Sequence, residues 1–104
     1  MDDSIFFSVI CPTYNSAKFL ERNIVSLIRQ NYKNFEVIYS DDGSTDETTN
    51  IILNYKQKFS EEKIKFSLLK NNHRGPGAAR NYAIKSSQYD WISFIDSDDE
   101  WHSS

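Results

Sequence analysis

Trp91-Ile92-Ser93-Phe94-Ile95-Asp96-Ser97-Asp98-Asp99 carries the chain from an apolar run directly into three carboxylates within four positions. Trp91 to Ile95 reads as a strand that delivers Asp96 at its end. Carboxylates this close repel one another, so something must offset them. A hard cation such as Mg²⁺ or Mn²⁺ does so by taking oxygen ligands while keeping positions for phosphate oxygens. Water does so as well, if the segment is only an acidic turn closing a strand. The segment alone leaves both readings open, and the rest of the chain has to separate them.

Upstream, an apolar strand runs into a polar loop three more times. Ile5 to Cys11 is almost continuously apolar, as in a strand covered on both faces, and ends at Pro12-Thr13-Tyr14-Asn15. Pro12 removes a donor there and Asn15 tolerates a turn. Ser16 is placed to cap a helix running to about Gln30, with Leu20, Ile24, Leu27 and Ile28 as its apolar stripe. Phe35 to Ser40 gives a second strand, ending in Asp41-Asp42-Gly43-Ser44-Thr45-Asp46. Gly43 permits a tight turn, and Thr45 or Asp46 caps one helix carrying Ile51, Ile52, Tyr55 and Phe59. Ile64 to Leu69 alternates enough for a strand near a sheet edge, and Asn71-Asn72-His73-Arg74-Gly75-Pro76-Gly77 follows as a loop. Ala78 to Ser87 is a short helix with Ala79, Tyr82 and Ala83 turned inward.

The predicted order β-α-β-α-β-α-β argues for an α/β fold with a mostly parallel sheet, right-handed crossovers and helices on both faces. Every strand-to-helix loop of such a sheet lies on one edge, where ligands bind. The unusual polar residues fall on that edge: Thr13-Tyr14-Asn15, Asp41-Asp42, Asn71 to Asn81 and Asp96 to Asp99. The opposite loops, Asn31 to Asn34, Ser60 to Lys63 and Gln88 to Asp90, are plain surface sequence. This asymmetry marks a site and favours the cation.

Composition narrows the class. The 104 residues suit one domain of modest size, and 26% charged residues with a net charge of −3 are ordinary for a soluble chain. Without a basic excess, nucleic acid is not favoured as a partner. A single Cys rules out an internal disulfide framework and points to a reducing compartment. No apolar run approaches a membrane span, and Met1-Asp2-Asp3-Ser4 has the wrong charge for a signal peptide. The expected location is cytoplasmic, the inner face of the membrane included.

Two carboxylate groups, an Arg-bearing loop and a Tyr on one edge match a nucleoside diphosphate. Tyr14 can lie against a base, as bases stack on aromatic side chains elsewhere. Asp41 or Asp42 can accept from a base N–H or a ribose hydroxyl. Asp98 or Asp99 can hold a divalent metal that bridges two phosphates. Arg80, in the first turn of the short helix, adds a guanidinium to backbone N–H groups that favour anions. Plain structural roles stand beside these: Tyr14 as a cover for its helix, Arg80 as a salt-bridge partner of Asp41, Asp46 as an N-cap.

Other chemistries fail on spacing. Gly75-Pro76-Gly77 lacks the third Gly of a dinucleotide fingerprint and follows the third strand, and no Gly-rich loop with Lys-Ser or Lys-Thr marks a P-loop. Asp96 to Glu100 begins like a calcium loop, but Trp101 stands where Gly is needed. His73 and His102 lack metal-ligand spacing and read as surface residues, with His102 left open because it adjoins the acidic segment. Cys11 reads as a core thiol. A receiver-type phosphotransfer domain would put an acidic pair after the first strand, where this chain has Thr13-Tyr14-Asn15.

Four motifs in order, Val9-Ile10-Cys11-Pro12-Thr13-Tyr14-Asn15, Val37-Ile38-Tyr39-Ser40-Asp41-Asp42-Gly43-Ser44-Thr45-Asp46, Gly75-Pro76-Gly77-Ala78-Ala79-Arg80-Asn81 and Phe94-Ile95-Asp96-Ser97-Asp98-Asp99, resemble the family 2 glycosyltransferases. The resemblance implies a Rossmann-like GT-A fold, a three-layer α/β/α sandwich with a mostly parallel sheet. It implies a nucleotide-sugar donor, most often a UDP-sugar, Mn²⁺ or Mg²⁺ as cofactor, and transfer with inversion to an acceptor hydroxyl on a glycan or lipid-linked glycan. Carried over by position, it implies that Pro12, Thr13, Tyr14, Asn15, Asp41, Asp42, Arg80, Asp96 and Asp98 line the donor site, with Asp98 and Asp99 as metal ligands.

In this family a general base lies downstream, in the acceptor half. The expectation is therefore that residues 1–104 form the donor-binding part of a longer GT-A domain, inactive in transfer alone, with the base beyond Ser104. His102 and Ser103 also stand where a Pro is common. The competing reading is a non-catalytic nucleotide-binding or interaction module derived from a glycosyltransferase. Either piece would leave a sheet edge exposed and open to self-association.

Overall fold

The computed structural model describes residues 5–101. In chain order the elements are β1 (Phe7–Thr13), α1 (Ala17–Ile28), β2 (Phe35–Asp41), α2 (Thr48–Asn54), α3 (Lys56–Glu61), β3 (Lys65–Lys70), α4 (Pro76–Ser86) and β4 (Ile92–Phe94). His102, with its proximity to the acidic segment, lies outside the described residues.

The strands form one sheet in the order β3-β2-β1-β4, and every pairing is parallel. Alternate residues of the two central strands face opposite layers. Val9, Cys11, Val37 and Tyr39 point to one side, where they meet Leu20, Ile24 and Leu27 of α1, Ile52 of α2 and Phe59 of α3. Ile10 and Ile38 point to the other and meet Ala83 of α4. The expected three-layer α/β/α arrangement is present. Ala79 and Ala83 are both fully buried, and their small size lets α4 lie close to the sheet, where the Ser40 hydroxyl donates to Ala79 O at 2.7 Å.

The strands depart from the sequence reading in instructive ways. β1 starts two residues later than expected and runs through Pro12 to Thr13, in register with β2 from Phe7↔Phe35 to Thr13↔Asp41. A single helix between β2 and β3 is replaced by α2 and α3, joined at Tyr55. Neither Pro nor Gly stands at that joint, so the apolar spacing reads through it as continuous. α4 begins at Pro76 rather than Ala78, because Pro suits the first helical position and Gly75 before it takes φ +99°. Tyr82, expected to face inward, is 38% exposed.

β3 is the edge strand its alternation implied, and β4 is the other edge. β4 spans three residues and leaves Trp91 70% and Phe94 49% exposed. Among the described residues no helix is long and apolar enough to cross a membrane.

Candidate functional site

In a strand order of 3-2-1-4 the connections run to opposite sides of β1, so the loops after β1 and β4 part there. A crevice opens at such a point, at the carboxyl ends of the strands. Pro12 helps open it. Ser8 N–H donates to Trp91 O and Ile10 O accepts from Ile95 N–H, so even-numbered residues of β1 bond toward β4. Pro12 is the next in that series and has no N–H to give, and the β1–β4 pairing ends at Ile10↔Phe94. The loops on either side are then tied by one side-chain contact, Ser16 Oγ to Ser97 Oγ at 2.8 Å.

The crevice is a cleft of about 340 Å³ with Pro12, Tyr14 and Ser16 on one wall and Asp96, Ser97 and Asp98 on another, closed by Pro76 and Arg80 of α4. Asp96, Asp98 and Asp99 are all exposed, and one carboxylate oxygen from each lies within 4.8 Å of the others. The turn that gathers them is closed by Asp99 N–H donating to Asp96 O at 3.0 Å. A convergent set of oxygen donors fits a hard divalent cation such as Mg²⁺ or Mn²⁺ and would not suit a soft one. Arg80 lies in the second turn of α4, not the first as expected, because the helix starts earlier. Its guanidinium is exposed and makes no ion pair among the described residues, so it is not the partner of Asp41.

A second hollow of about 150 Å³ lies where Tyr14 meets Thr13, Asp42 and Ala79, sharing Pro12, Tyr14 and Pro76 with the cleft. Tyr14 is 45% exposed at this boundary, and its ring is stacked on His73. Asp42 is buried beneath them. Its Oδ1 accepts from Arg74 N–H at 2.8 Å, and its Oδ2 from Gly75 N–H at 3.0 Å and from His73 Nδ1 at 2.9 Å. Burial alone would raise the Asp42 carboxyl, but the two backbone donors and then His73 outweigh it and hold it below the ordinary carboxylate value.

Asp41 is buried too, and its role in the fold is internal. It accepts from the Thr13 hydroxyl at 2.7 Å, the Ser44 hydroxyl at 2.6 Å and Ser44 N–H at 2.8 Å. Asn15, at φ 47°, accepts on its Oδ1 from Thr45 N–H at 2.8 Å and Asp46 N–H at 3.3 Å, and its own N–H donates to Ser44 Oγ. These contacts knit the loop after β1 to the loop after β2. Asp46 is not the N-cap of α2, a position that Glu47 holds; it stands one residue earlier and accepts from the first helical N–H groups of two helices, Thr48 N–H at 2.9 Å and Ala17 N–H at 3.3 Å. Of the residues singled out in sequence, Pro12, Tyr14, Arg80, Asp96 and Asp98 thus meet around the cleft. Thr13 and Asp42 line the smaller hollow, Asp41 stands behind it, and Asn15 borders the cleft while its side chain braces the loops.

A wider hollow, about 570 Å³, lies between the end of α1 and α3, where Lys33 pairs with Glu62 at 3.4 Å. It sits beside the amino-edge loops and gathers no comparable cluster of carboxylates. Sequence reading missed three things around the carboxyl-edge cleft: the stacking of His73 on Tyr14, the Ser16–Ser97 bond, and the polar side chains of α1 behind the acidic turn. Only the last had a visible signal, since Asn23 sits among Leu20, Ile24 and Leu27 where an apolar residue is expected.

Residues 8–104 match the family model described as glycosyl transferase family 2. The chain is similar to the poly(ribitol-phosphate) beta-N-acetylglucosaminyltransferase TarS of Staphylococcus aureus, 43% identical over 89% of this chain and 16% of the relative. It is also similar to the UDP-Glc:alpha-D-GlcNAc-diphosphoundecaprenol beta-1,3-glucosyltransferase WfgD of Escherichia coli, 39% identical over 97% of this chain and 38% of the relative. Among solved structures, TarS 1-349 in complex with UDP superposes with a TM-score of 0.80 at 37% identity, covering 94% of this chain and 29% of that one. The mannosyltransferase PcManGT of Pyrobaculum calidifontis, in complex with GDP-Man and Mn²⁺, superposes at 0.85 with 26% identity, covering 96% and 30%. The chain spans well under half the length of each of these proteins.

Proposed function

The chain belongs to glycosyl transferase family 2, with the GT-A fold of its solved relatives, and from that premise we infer that it forms the donor-binding part of a glycosyltransferase. The donor is a nucleoside-diphosphate sugar, a UDP-sugar first, taken with Mn²⁺ or Mg²⁺. One observation carries this reading: Tyr14, Arg80, Asp96 and Asp98 line a crevice at the point where the strand order reverses, and a carboxylate oxygen of Asp99 lies within 4.8 Å of those of the other two. The complexes of TarS with UDP and of PcManGT with GDP-Man and Mn²⁺ support it.

In this reading Tyr14 gives the nucleobase an aromatic face, and the smaller hollow beside Thr13 and Asp42 receives its polar edge. Arg80 approaches the diphosphate as a free cation. Asp98 and Asp99 would hold the metal, with the Asp96 carboxylate beside them. A bound divalent cation offsets charge that develops on the diphosphate leaving group. The parent enzyme transfers the sugar with inversion to an acceptor hydroxyl on a glycan or lipid-linked glycan, using a base outside these residues. It works on the cytoplasmic side, at the inner face of the membrane when the acceptor is lipid-linked.

Calorimetry with UDP and Mn²⁺ tests this. Binding is expected to depend on the metal and to vanish when Asp98→Ala and Asp99→Ala are combined. Binding unchanged in that double variant overturns the metal role. No binding to any nucleoside diphosphate supports instead an interaction module derived from a transferase.

A further inference from the structure

The inner side of α1 carries polar groups where its amphipathic pattern calls for apolar ones. Asn23 is fully buried and Ser26 nearly so, and Gln30 follows just past the end of the helix. A buried polar group without a partner is costly, so the direction of each bond is informative. All three reach the same segment. Asn23 Nδ2 donates to Asp96 O and to Asp99 O, both at 3.2 Å, with Cys11 Sγ 3.7 Å away. Trp101 N–H donates to Ser26 Oγ at 3.0 Å, and Gln30 Nε2 donates to Trp101 O at 3.1 Å.

The orientation of the Asn23 amide is fixed by chemistry. Backbone carbonyls only accept, so the NH₂ group must face Asp96 and Asp99. The reverse orientation would set Oδ1 against two carbonyl oxygens. Oδ1 instead accepts from the buried Tyr39 hydroxyl at 2.8 Å, which anchors the amide to the centre of β2. Asn23 therefore links the sheet core to both ends of a turn whose three carboxylates repel one another.

We propose that Asn23, aided by Ser26 and Gln30, is a positioning residue that holds the Asp96–Asp99 backbone closed so that the three carboxylates converge on one cation. This rests on the donor-and-metal reading above. Asn23 touches no reacting atom. It acts through main-chain carbonyls, so it sets the shape of the acidic turn without adding to its charge.

The test is Asn23→Leu combined with Tyr39→Phe, which removes the amide and its phenol partner together and keeps their volume. Mn²⁺ binding to the whole chain is read by loss of the free-ion electron paramagnetic resonance signal, with and without UDP. Amide hydrogen exchange is read at Asp99 and Trp101. The expected result is a Mn²⁺ affinity about tenfold weaker or more, the range seen when partners behind metal ligands are removed. Asp99 and Trp101 amides exchange faster while those of β1 and β2 stay protected. Phe59→Leu, which loosens the same core without touching the turn, leaves Mn²⁺ affinity unchanged. If the double variant does not fold, Ser26→Ala gives the same direction with a smaller loss. Wild-type affinity and exchange in the variant, or an equal loss in Phe59→Leu, overturns the positioning role alone. A wild-type chain that binds no Mn²⁺ with UDP overturns the donor reading and this inference with it.

Discussion

Tyr14 and His73 stack with ring centroids 4.4 Å apart and planes 24° from parallel, and His73 Nδ1 lies 2.9 Å from Asp42 Oδ2. The face that would take a nucleobase is thus covered by a side chain from the loop before α4. A base has to displace that ring or use the other side of the phenol.

The two residues should respond oppositely to truncation. Tyr14→Ala removes the platform and is expected to weaken UDP binding by about 1–3 kcal/mol, the size of one base–aromatic stack. His73→Ala clears the platform and is expected to strengthen UDP binding by a few fold. Calorimetry on both variants decides it: weaker binding in His73→Ala would make the imidazole a second stacking plate.

Acid should loosen the same loop. The Asp42 carboxyl sits below its ordinary value of 3.8 in the folded chain, because Arg74 N–H, Gly75 N–H and His73 together outweigh its burial. A depressed folded value stabilises the fold above the unfolded value and ceases to do so as pH falls through the folded one. Asp46 acts in the same sense through Thr48 and Ala17. Stability measured by urea denaturation is therefore expected to fall below about pH 4. Asp42→Asn should be less stable at neutral pH and show a shallower acid limb. An acid limb of unchanged slope in that variant would remove Asp42 from the account.

The two left-handed glycines should differ in their tolerance of a methyl group. At Gly43, φ +84°, an added Cβ would come 3.1 Å from His73 N and 3.3 Å from Asn71 O, both backbone atoms. At Gly75, φ +99°, nothing lies within 4 Å. Gly75→Ala bears only the conformational strain of about 1–3 kcal/mol, whereas Gly43→Ala also forces two loops apart. Urea denaturation should rank Gly43→Ala as the more damaging, with a loss of UDP binding that Gly75→Ala does not match.

The two sheet edges are guarded unequally. β3 carries exposed Lys65 and Lys70, the kind of residue that discourages strand pairing. β4 presents exposed Phe94, with exposed Trp91 just before it, and among the described residues no strand pairs with its outer side. Self-association through β4 is expected at high concentration. Trp91→Lys with Phe94→Lys should reduce it in sedimentation velocity, and a strictly monomeric wild-type profile would count against it.

Much of this architecture could be read from the chain because parallel strands covered on both faces are largely apolar, as the stretch leading into β1 is, and because β2 centres on Val37, Ile38 and Tyr39. The polar strand ends were legible for the same reason, by contrast. Side-chain direction was not. Asp41 and Asp42 look alike in sequence, yet one is held by Thr13 and Ser44 and the other by backbone donors from a loop some thirty residues on. Nothing local tells an Asp which of two loops it will bind. The joint at Tyr55 was hidden because a helix can end there without Pro or Gly. Asn23 could have been found, since a polar residue inside an apolar stripe needs a partner, but its two partners in the acidic turn are main-chain carbonyls that no side-chain pattern reveals.

The Ser16–Ser97 contact joins residues 81 apart in sequence, so the two walls of the crevice are made by segments near opposite ends of the described chain. A polypeptide growing from its N-terminus exposes Tyr14 long before Asp96 exists. Contacts of such long range carry a large loop-closure cost and form late. The crevice is therefore completed only when β4 has docked against β1. A ligand that spans both walls acts as a latch on that final step, holding β4 in place in proportion to its affinity. Ligand binding across these two walls would thus double as a report that β4 is in place.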